Sequence, residues 1–411
     1  MANTIAKDNG QKLSLVDSVA RKLLLKMLTA LPRGALVIRE IPKQKTLTFG
    51  DGTEAAVIEV KDGRFYRKVL SAGSIGAAEA YIDGQWDSPN NTAVVQLFAR
   101  NQELLDTIEK VFGRISGPVN RLRYGLTRNS KAGSKRNIMA HYDLGNAMYE
   151  QFLDRSMLYS SALYPCAEAS LAEAQQYKMK TICERLDLKP GQSLLEIGTG
   201  WGALAIYAAK HYDVQVTTTT ISDAQYAYAK ARVEAEGLQD KVTLLTEDYR
   251  NLSGQYDRLM SIEMIEAVGH DYLPGFFAKL NGLLKPEGRM LLQAITIADQ
   301  RYDSYRKGVD FIQKYIFPGG CLPSVSVMTK LLCKHSDMVL WSLDDMGQHY
   351  ARTLRHWHEN FDASLDKIHE LGYDEGFIRM WKFYLSYCEG AFLERATSAV
   401  HLVAVKPDYR C

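Results

Sequence analysis

The densest chemistry in the chain is the run Leu194-Leu195-Glu196-Ile197-Gly198-Thr199-Gly200-Trp201-Gly202. An apolar stretch enters a glycine-rich turn and leaves it as the helical pattern ALAIYAAKHY. Glycines let a backbone approach a ligand closely, and a helix N-terminus offers bare N–H groups there. A dinucleotide fingerprint is spaced G-x-G-x-x-G. Here the glycines are Gly198, Gly200 and Gly202, and Glu196 stands two residues before the first. A carboxylate there suits the cationic methionine part of S-adenosylmethionine better than a pyrophosphate. This motif alone also admits a dinucleotide site or a purely structural turn.

Other polar runs follow. Thr217-Thr218-Thr219-Thr220-Ile221-Ser222, then Asp223 and Gln225, supply hydroxyls where an acidic residue often meets a ribose. Threonine runs are also ordinary strand residues. Glu247-Asp248-Tyr249-Arg250 ends the next apolar run, where an adenine sits in such folds. Three segments are more distinctive: His141-Tyr142-Asp143-Leu144-Gly145-Asn146 with Tyr159-Ser160-Ser161-Ala162, Glu263-Met264-Ile265-Glu266-Ala267-Val268-Gly269-His270, and Tyr315-Ile316-Phe317-Pro318-Gly319-Gly320-Cys321.

These residues need a scaffold. SLLEIGTG, VQVTTTT, VTLLTED, YDRLMSI and RMLLQAI read as short apolar strands with amphipathic helices between them. Such alternation predicts an α/β, doubly wound, Rossmann-like domain with helices on both sheet faces. It is placed at 137–411. Residues 12–31 carry apolar side chains at helical spacing up to Pro32, and ALVIREI, KTLTFGDG and AAVIEVKD between 34 and 71 read as strands with glycine turns. Helical patterns resume at 75–113, so residues 1–120 are expected to form a small α+β accessory domain. A basic linker, 121–136, joins the two.

Composition narrows the function classes. The 411 residues are 46% hydrophobic and 24% charged, with a formal charge of +2, which argues against a dedicated nucleic-acid binder. Six cysteines include no CxxC pair and no Cys/His cluster with zinc spacing, so reduced thiols and no metal are expected. The N-terminus lacks the apolar region of a signal peptide, and no run reaches the ~18 apolar residues of a spanning helix. Between Gly113 and Arg136, Arg114, Arg121, Arg123, Arg128, Lys131, Lys135 and Arg136 occur without an acidic residue. That stretch reads as a solvated linker or as a patch for anionic lipid headgroups.

Together these motifs resemble the family of cyclopropane fatty acid synthases and mycolic acid methyltransferases over essentially the whole chain, including EAYIDGQWDS in the N-terminal part. The resemblance implies a class I methyltransferase that carries a methyl group from S-adenosylmethionine to the double bond of an unsaturated phospholipid acyl chain, with a cyclopropane as product. It implies that Tyr159, Ser160, the turn with Glu196, Gly198, Gly200 and Gly202, then Thr220, Ser222, Gln225, Tyr249 and Arg250 hold the cofactor. It implies a bicarbonate ion held by Glu266, Ile295 and Tyr350, with Ser161 and Gln293 beside it. Cys388 and Tyr142 are expected in the catalytic set.

The chain departs from the family pattern at two of these places. Ser161 stands where Cys is usual, and Gln293 where many members have His. Gln keeps its hydrogen bonds but exchanges no proton near neutral pH. Proton loss elsewhere would give a methyl-branched or methylene-bearing chain, a step toward branched or furan fatty acids, instead of a ring. The same residues are compatible with small-molecule N-methylation, or with a catalytically dead lipid-binding scaffold. Each candidate has an ordinary counterpart: Glu266 as a helix cap or ion pair, Tyr350 as a core tyrosine, Cys388 as a small buried hydrophobe. The expected setting is cytoplasmic and peripheral at the inner membrane surface, with phospholipid as partner, no nucleic acid, and a homodimer left open.

Overall fold

The computed structural model describes residues 13–52, 55–107 and 145–410. Tyr142 and the basic stretch 114–136 lie outside the described residues. The chain divides into two compact units, one of Met1–Leu122 with Tyr373–Glu394, the other of Arg123–Gly372 with Arg395–Cys411.

In the first unit, α1 (Leu15–Leu28) starts where the Ser14 side chain accepts the Asp17 N–H, and Pro32 follows its end. Strands β1 (Gly34–Glu40), β2 (Lys45–Asp51), β3 (Ala55–Val60) and β4 (Trp86–Asp87) form a sheet in the order β2-β1-β3-β4. This part also holds helices α2 (Arg64–Ile82) and α3 (Asn91–Arg100). The sequence reading placed the C-terminal segment wholly in the larger domain. The helix Glu375–Leu393 instead packs among α2 and α3. Its polar groups explain the attachment. Glu389 accepts from Thr92 at 2.8 Å, and Arg379 donates to the Tyr81 and Trp86 carbonyls and to Asp87. Such pairings join residues almost 300 positions apart, a distance that periodicity cannot read.

The second unit holds α4 (Leu171–Arg185), β5 (Ser193–Ile197), α5 (Ala203–Tyr212), β6 (Gln215–Thr219), α6 (Asp223–Ala235), β7 (Val242–Leu245), β8 (Tyr256–Ile262), α7 (Leu273–Gly282), β9 (Leu284–Ile297), α8 (Val325–His335), β10 (Val339–Asp345), α9 (Gly347–Ala363) and β11 (Thr397–Val405). Its sheet runs β10-β11-β9-β8-β5-β6-β7. The strands from β7 to β9 are parallel, while β11 runs antiparallel to both neighbours. All five strands expected from the sequence are present. Alternation sorts the core onto two faces: Leu195, Leu259, Leu292 and Leu402 pack with α7 and α8, and Leu194, Met260, Leu291 and Val403 with α4 and α5. From β5 the chain builds one way to β6 and β7, then the other way from β8 to β9. A reversal of this kind opens a crevice at the carboxyl ends of the central strands.

A side chain at Gly390 would test the position of the C-terminal helix. Its Cβ would lie 2.7 Å from Val95 Cβ and 3.1 Å from the Thr92 carbonyl oxygen. Gly390→Val should therefore cost about 1–3 kcal/mol, as overpacking does. Urea unfolding read with limited proteolysis should show the first unit opening earlier. An unchanged midpoint would mean that the helix does not pack there.

Candidate active site

The glycine turn leaves β5 at Ile197 and enters α5 at Ala203. Gly198, Gly200 and Gly202 have φ of 108°, 52° and 86°. The Gly198 and Thr199 N–H groups donate to the Thr219 carbonyl, which ties the turn to β6. A Cβ on Gly202 would press on Ala229 Cβ at 3.0 Å, whereas a Cβ on Gly200 would meet nothing within 4 Å. The turn therefore bares its backbone to open space at a helix N-terminus, which fits the methionine end of a nucleoside cofactor. Glu196 lies beneath the turn and accepts a 2.6 Å hydrogen bond from Thr218 Oγ1, which also contacts Thr199 Oγ1. Burial pushes the Glu196 carboxyl up to about 8.

Thr220, Ser222 and Gln225 gather at the next strand end. Thr220 Oγ1 donates to Gln225 Oε1, and Ser222 caps α6. Arg250 pairs with Asp248 and lies over the Tyr249 ring. Tyr159 sits in an aromatic cluster with Tyr149, Phe152, Trp357 and Phe317. Its neighbour Ser160 accepts from Lys178 Nζ at 2.8 Å. Lys178 is fully buried on α4, and burial lowers its ammonium to about 8 against the opposing pull of Glu263 and Asp154.

The centre of the constellation is Glu263, a residue to which the sequence reading gave no role. It follows β8 with a left-handed φ of 50°. Its Oε1 accepts from the Ser161 N–H at 2.9 Å and from Gln293 Nε2 at 2.7 Å, and its Oε2 accepts from the Tyr350 hydroxyl at 2.7 Å. Burial raises this carboxyl, while Tyr350, Ser161, Lys178 and Gln293 oppose the rise. Four segments far apart in sequence thus converge on one buried carboxyl. A signal for it was present: Glu263 and Glu266 form a Glu-x-x-Glu pair at the end of a central strand, and paired carboxylates commonly divide acid and base roles.

Of the residues expected around a bicarbonate ion, three contact Glu263. Tyr350 and Gln293 both point at Glu263, and Gln293 also donates to the Ser161 carbonyl. Ser161 contributes its N–H, not its hydroxyl, which donates to the Ala162 carbonyl. Glu266 Oε1 accepts the Ile295 N–H at 2.5 Å, while its buried Oε2 has no hydrogen-bond partner. Burial and the nearby Glu263 push Glu266 up to about 8. Cys388 stands, half-buried, on the Glu375–Leu393 helix of the first unit. Among the described residues no group of His, Cys, Asp and Glu is arranged to hold a metal.

Gly200→Val should fold, with only the strain of a left-handed non-glycine residue, about 1–2 kcal/mol. Its side chain would occupy the open space above the turn, so calorimetry should find S-adenosylmethionine binding abolished. Undiminished binding by the folded variant would remove the turn from the cofactor site.

A second expectation concerns pH. Glu196 and Glu266 stand near 8 in the folded protein, against an ordinary 4.5. Between those values the folded chain keeps protons that the unfolded chain has lost. Their contribution is fully present below about pH 4.5 and is lost as pH rises through about 8. Urea midpoints of Glu266→Gln should fall less over this window than those of the parent. Parallel curves would mean that Glu266 is ionised throughout.

A family model described as mycolic acid cyclopropane synthetase matches residues 129–402. The tuberculostearic acid methyltransferase of Mycobacterium tuberculosis is 34% identical over 390 residues, 91% of this chain and 88% of that one. The cyclopropane-fatty-acyl-phospholipid synthase of Escherichia coli K12 is 39% identical over 353 residues, 84% of this chain and 86% of that one. A mycolic acid cyclopropane synthase solved with SAH and CTAB superposes with a TM-score of 0.62 at 28% identity, covering 66% of this chain and 98% of that one. With the α/β fold, the glycine turn and the carboxylate centre in place, the chain belongs to the mycolic acid cyclopropane synthetase family and is an S-adenosylmethionine-dependent methyltransferase.

Proposed function

We propose that this protein methylates the double bond of unsaturated acyl chains in membrane phospholipids, and that Glu263 accepts the proton that the alkylated chain must lose. The observation that carries this reading is the Glu263 carboxylate, buried and held by Ser161, Gln293 and Tyr350. The names of the Escherichia coli and mycobacterial relatives support a lipid acyl substrate.

Bound S-adenosylmethionine supplies an electrophilic methyl group strong enough for an isolated alkene. The turn at Gly198, Gly200 and Gly202, with Tyr159, Ser160, Thr220, Ser222, Gln225, Tyr249 and Arg250, would hold it. What the protein adds is a dry, anionic, aromatic environment. The cluster around Tyr159 excludes water and offers ring faces to a cationic chain. Glu263 balances that charge and takes the proton on a carboxylate oxygen. Glu266, held neutral near pH 7 by burial, stays out of proton acceptance and leaves its neighbour as the base. Glu263 thereby fills the place that the resemblance gave to a bicarbonate ion.

Alkene plus methyl cation minus a proton adds one CH2, whichever proton leaves. Loss from the new methyl closes a cyclopropane, the first reading. Loss from a neighbouring chain carbon leaves a methyl-branched alkene, and a 1,2-hydride shift followed by loss from the methyl leaves a methylene branch. The second reading is favoured by Gln293, which carries no exchangeable proton near neutral pH, and by the tuberculostearic acid methyltransferase among the relatives. Either reaction takes place from the membrane surface. Among the described residues no helix is long and apolar enough to cross a membrane.

The test is single-turnover transfer from labelled S-adenosylmethionine to vesicles of an unsaturated phospholipid, with product NMR. Glu263→Ala should bind cofactor normally and lose roughly 10²–10⁴ in rate, the range of lost general-base catalysis. It leaves donors at Ser161, Gln293 and Tyr350 facing an anion-sized gap, so added bicarbonate or formate should restore part of the rate. Near-normal turnover without rescue would mean that another group takes the proton. No label in lipid from the parent enzyme would overturn the substrate.

A further inference from the structure

Behind Gln293 lies a buried chain of polar side chains that the reaction as described does not use. His401 on β11 is the register partner of Gln293 on β9. Both are completely buried. His401 Nε2 lies 2.9 Å from Gln293 Oε1, and His401 Nδ1 lies 2.6 Å from Arg185 Nη1. Arg185 closes α4 and pairs at 3.4 Å with Asp344 on β10, whose side chain is 45% exposed.

The chemistry of the donors orders this chain in one direction. A guanidinium has donors only, so Nδ1 must offer its lone pair to Arg185. The ring proton is then on Nε2 and donates to Gln293 Oε1. That leaves the Gln293 NH2 group to donate to Glu263 Oε1 and the Ser161 carbonyl, as observed. A flipped amide would set two donors against each other at His401 and two acceptors against each other at Glu263. Burial and the cations Arg185 and Lys178 keep the imidazole neutral, with its pKa lowered to about 3.

We infer that His401 is a positioning residue: fixed by Arg185 as the Nε2–H tautomer, it locks the Gln293 amide with its NH2 toward Glu263 and so keeps Glu263 an ionised proton acceptor. The inference rests on Glu263 as the base. Without the lock, the buried Gln293 oxygen has no donor and only the bonds to Glu263 and the Ser161 carbonyl oppose a turn of the amide; once turned, its oxygen at Glu263 Oε1 is satisfied only by a proton on Glu263. The acceptor is then already filled.

Two measurements decide it. In ¹⁵N-histidine spectra of the full chain, the signals lost in His401→Gln belong to His401. They should report a bare Nδ1 and a protonated Nε2, unchanged from about pH 5.5 to 8. A titrating ring or an Nδ1–H tautomer overturns the lock whatever the enzyme does. In single-turnover assays, His401→Phe should lower the methyl-transfer rate about 10- to 100-fold, with cofactor affinity unchanged. His401→Gln, whose amide can donate to Gln293 Oε1, should recover most of it. Equal losses in both variants would make His401 a packing residue only. If Glu263→Ala keeps its turnover while the spectra show the expected tautomer, the base assignment fails and not the lock.

Discussion

A carboxylate sealed inside a protein must be given hydrogen bonds and countercharge, or it takes up a proton. Glu263 is given both. Its partners are a backbone N–H of the loop before α4, an amide on β9 and a phenol on α9, and Lys178 acts on it through space. None of these reaches Glu263 until β8 and β9 are paired and α9 has docked on β11. This hydrogen-bonded setting is therefore a condition on the whole second unit. The left-handed backbone at Glu263 belongs to the same arrangement, because a residue in that conformation persists only where its surroundings over-determine it.

The neighbouring Glu266 shows what happens when the donors are not supplied. One oxygen has the Ile295 N–H and the other has none. Two buried carboxyls three residues apart in sequence thus have different environments. Burial pushes both toward the neutral form, but at Glu263 the protein's donors and Lys178 oppose that push, whereas at Glu266 the neighbouring Glu263 adds to it. This division suits the proposed reaction, in which the chain turns cationic on alkylation: one negative charge would balance it, whereas two buried together would make the fold itself costly.

The polar chain from Asp344 through Arg185 and His401 to Gln293 extends the same logic outward. Each buried group is satisfied by the next, and the ion pair at the outer end is the part that meets solvent. Gln293, at a place where the resemblance leads one to expect His in many members, is therefore no simple loss of a titratable group. It comes with a histidine on the adjacent strand and a carboxylate on the other side.

The sequence by itself determined the local elements and the glycine turn. Strand–turn–helix around Gly198–Gly202 is legible because glycine spacing and apolar runs act over a few residues, and the five parallel strands emerged for the same reason. The Glu263–Glu266 pair was visible as letters but had no assigned division of labour, since burial and donors arrive from positions as distant as Ser161 and Tyr350. Strands β10 and β11 and the attachment of the Glu375–Leu393 helix to the first unit also escaped it. Each depends on pairing across long stretches of chain, which no local pattern encodes. Only the tertiary structure decided that Ser161, Gln293 and Tyr350 gather on the Glu263 carboxyl, because burial and hydrogen-bond direction are properties of an enclosed volume and not of a sequence window.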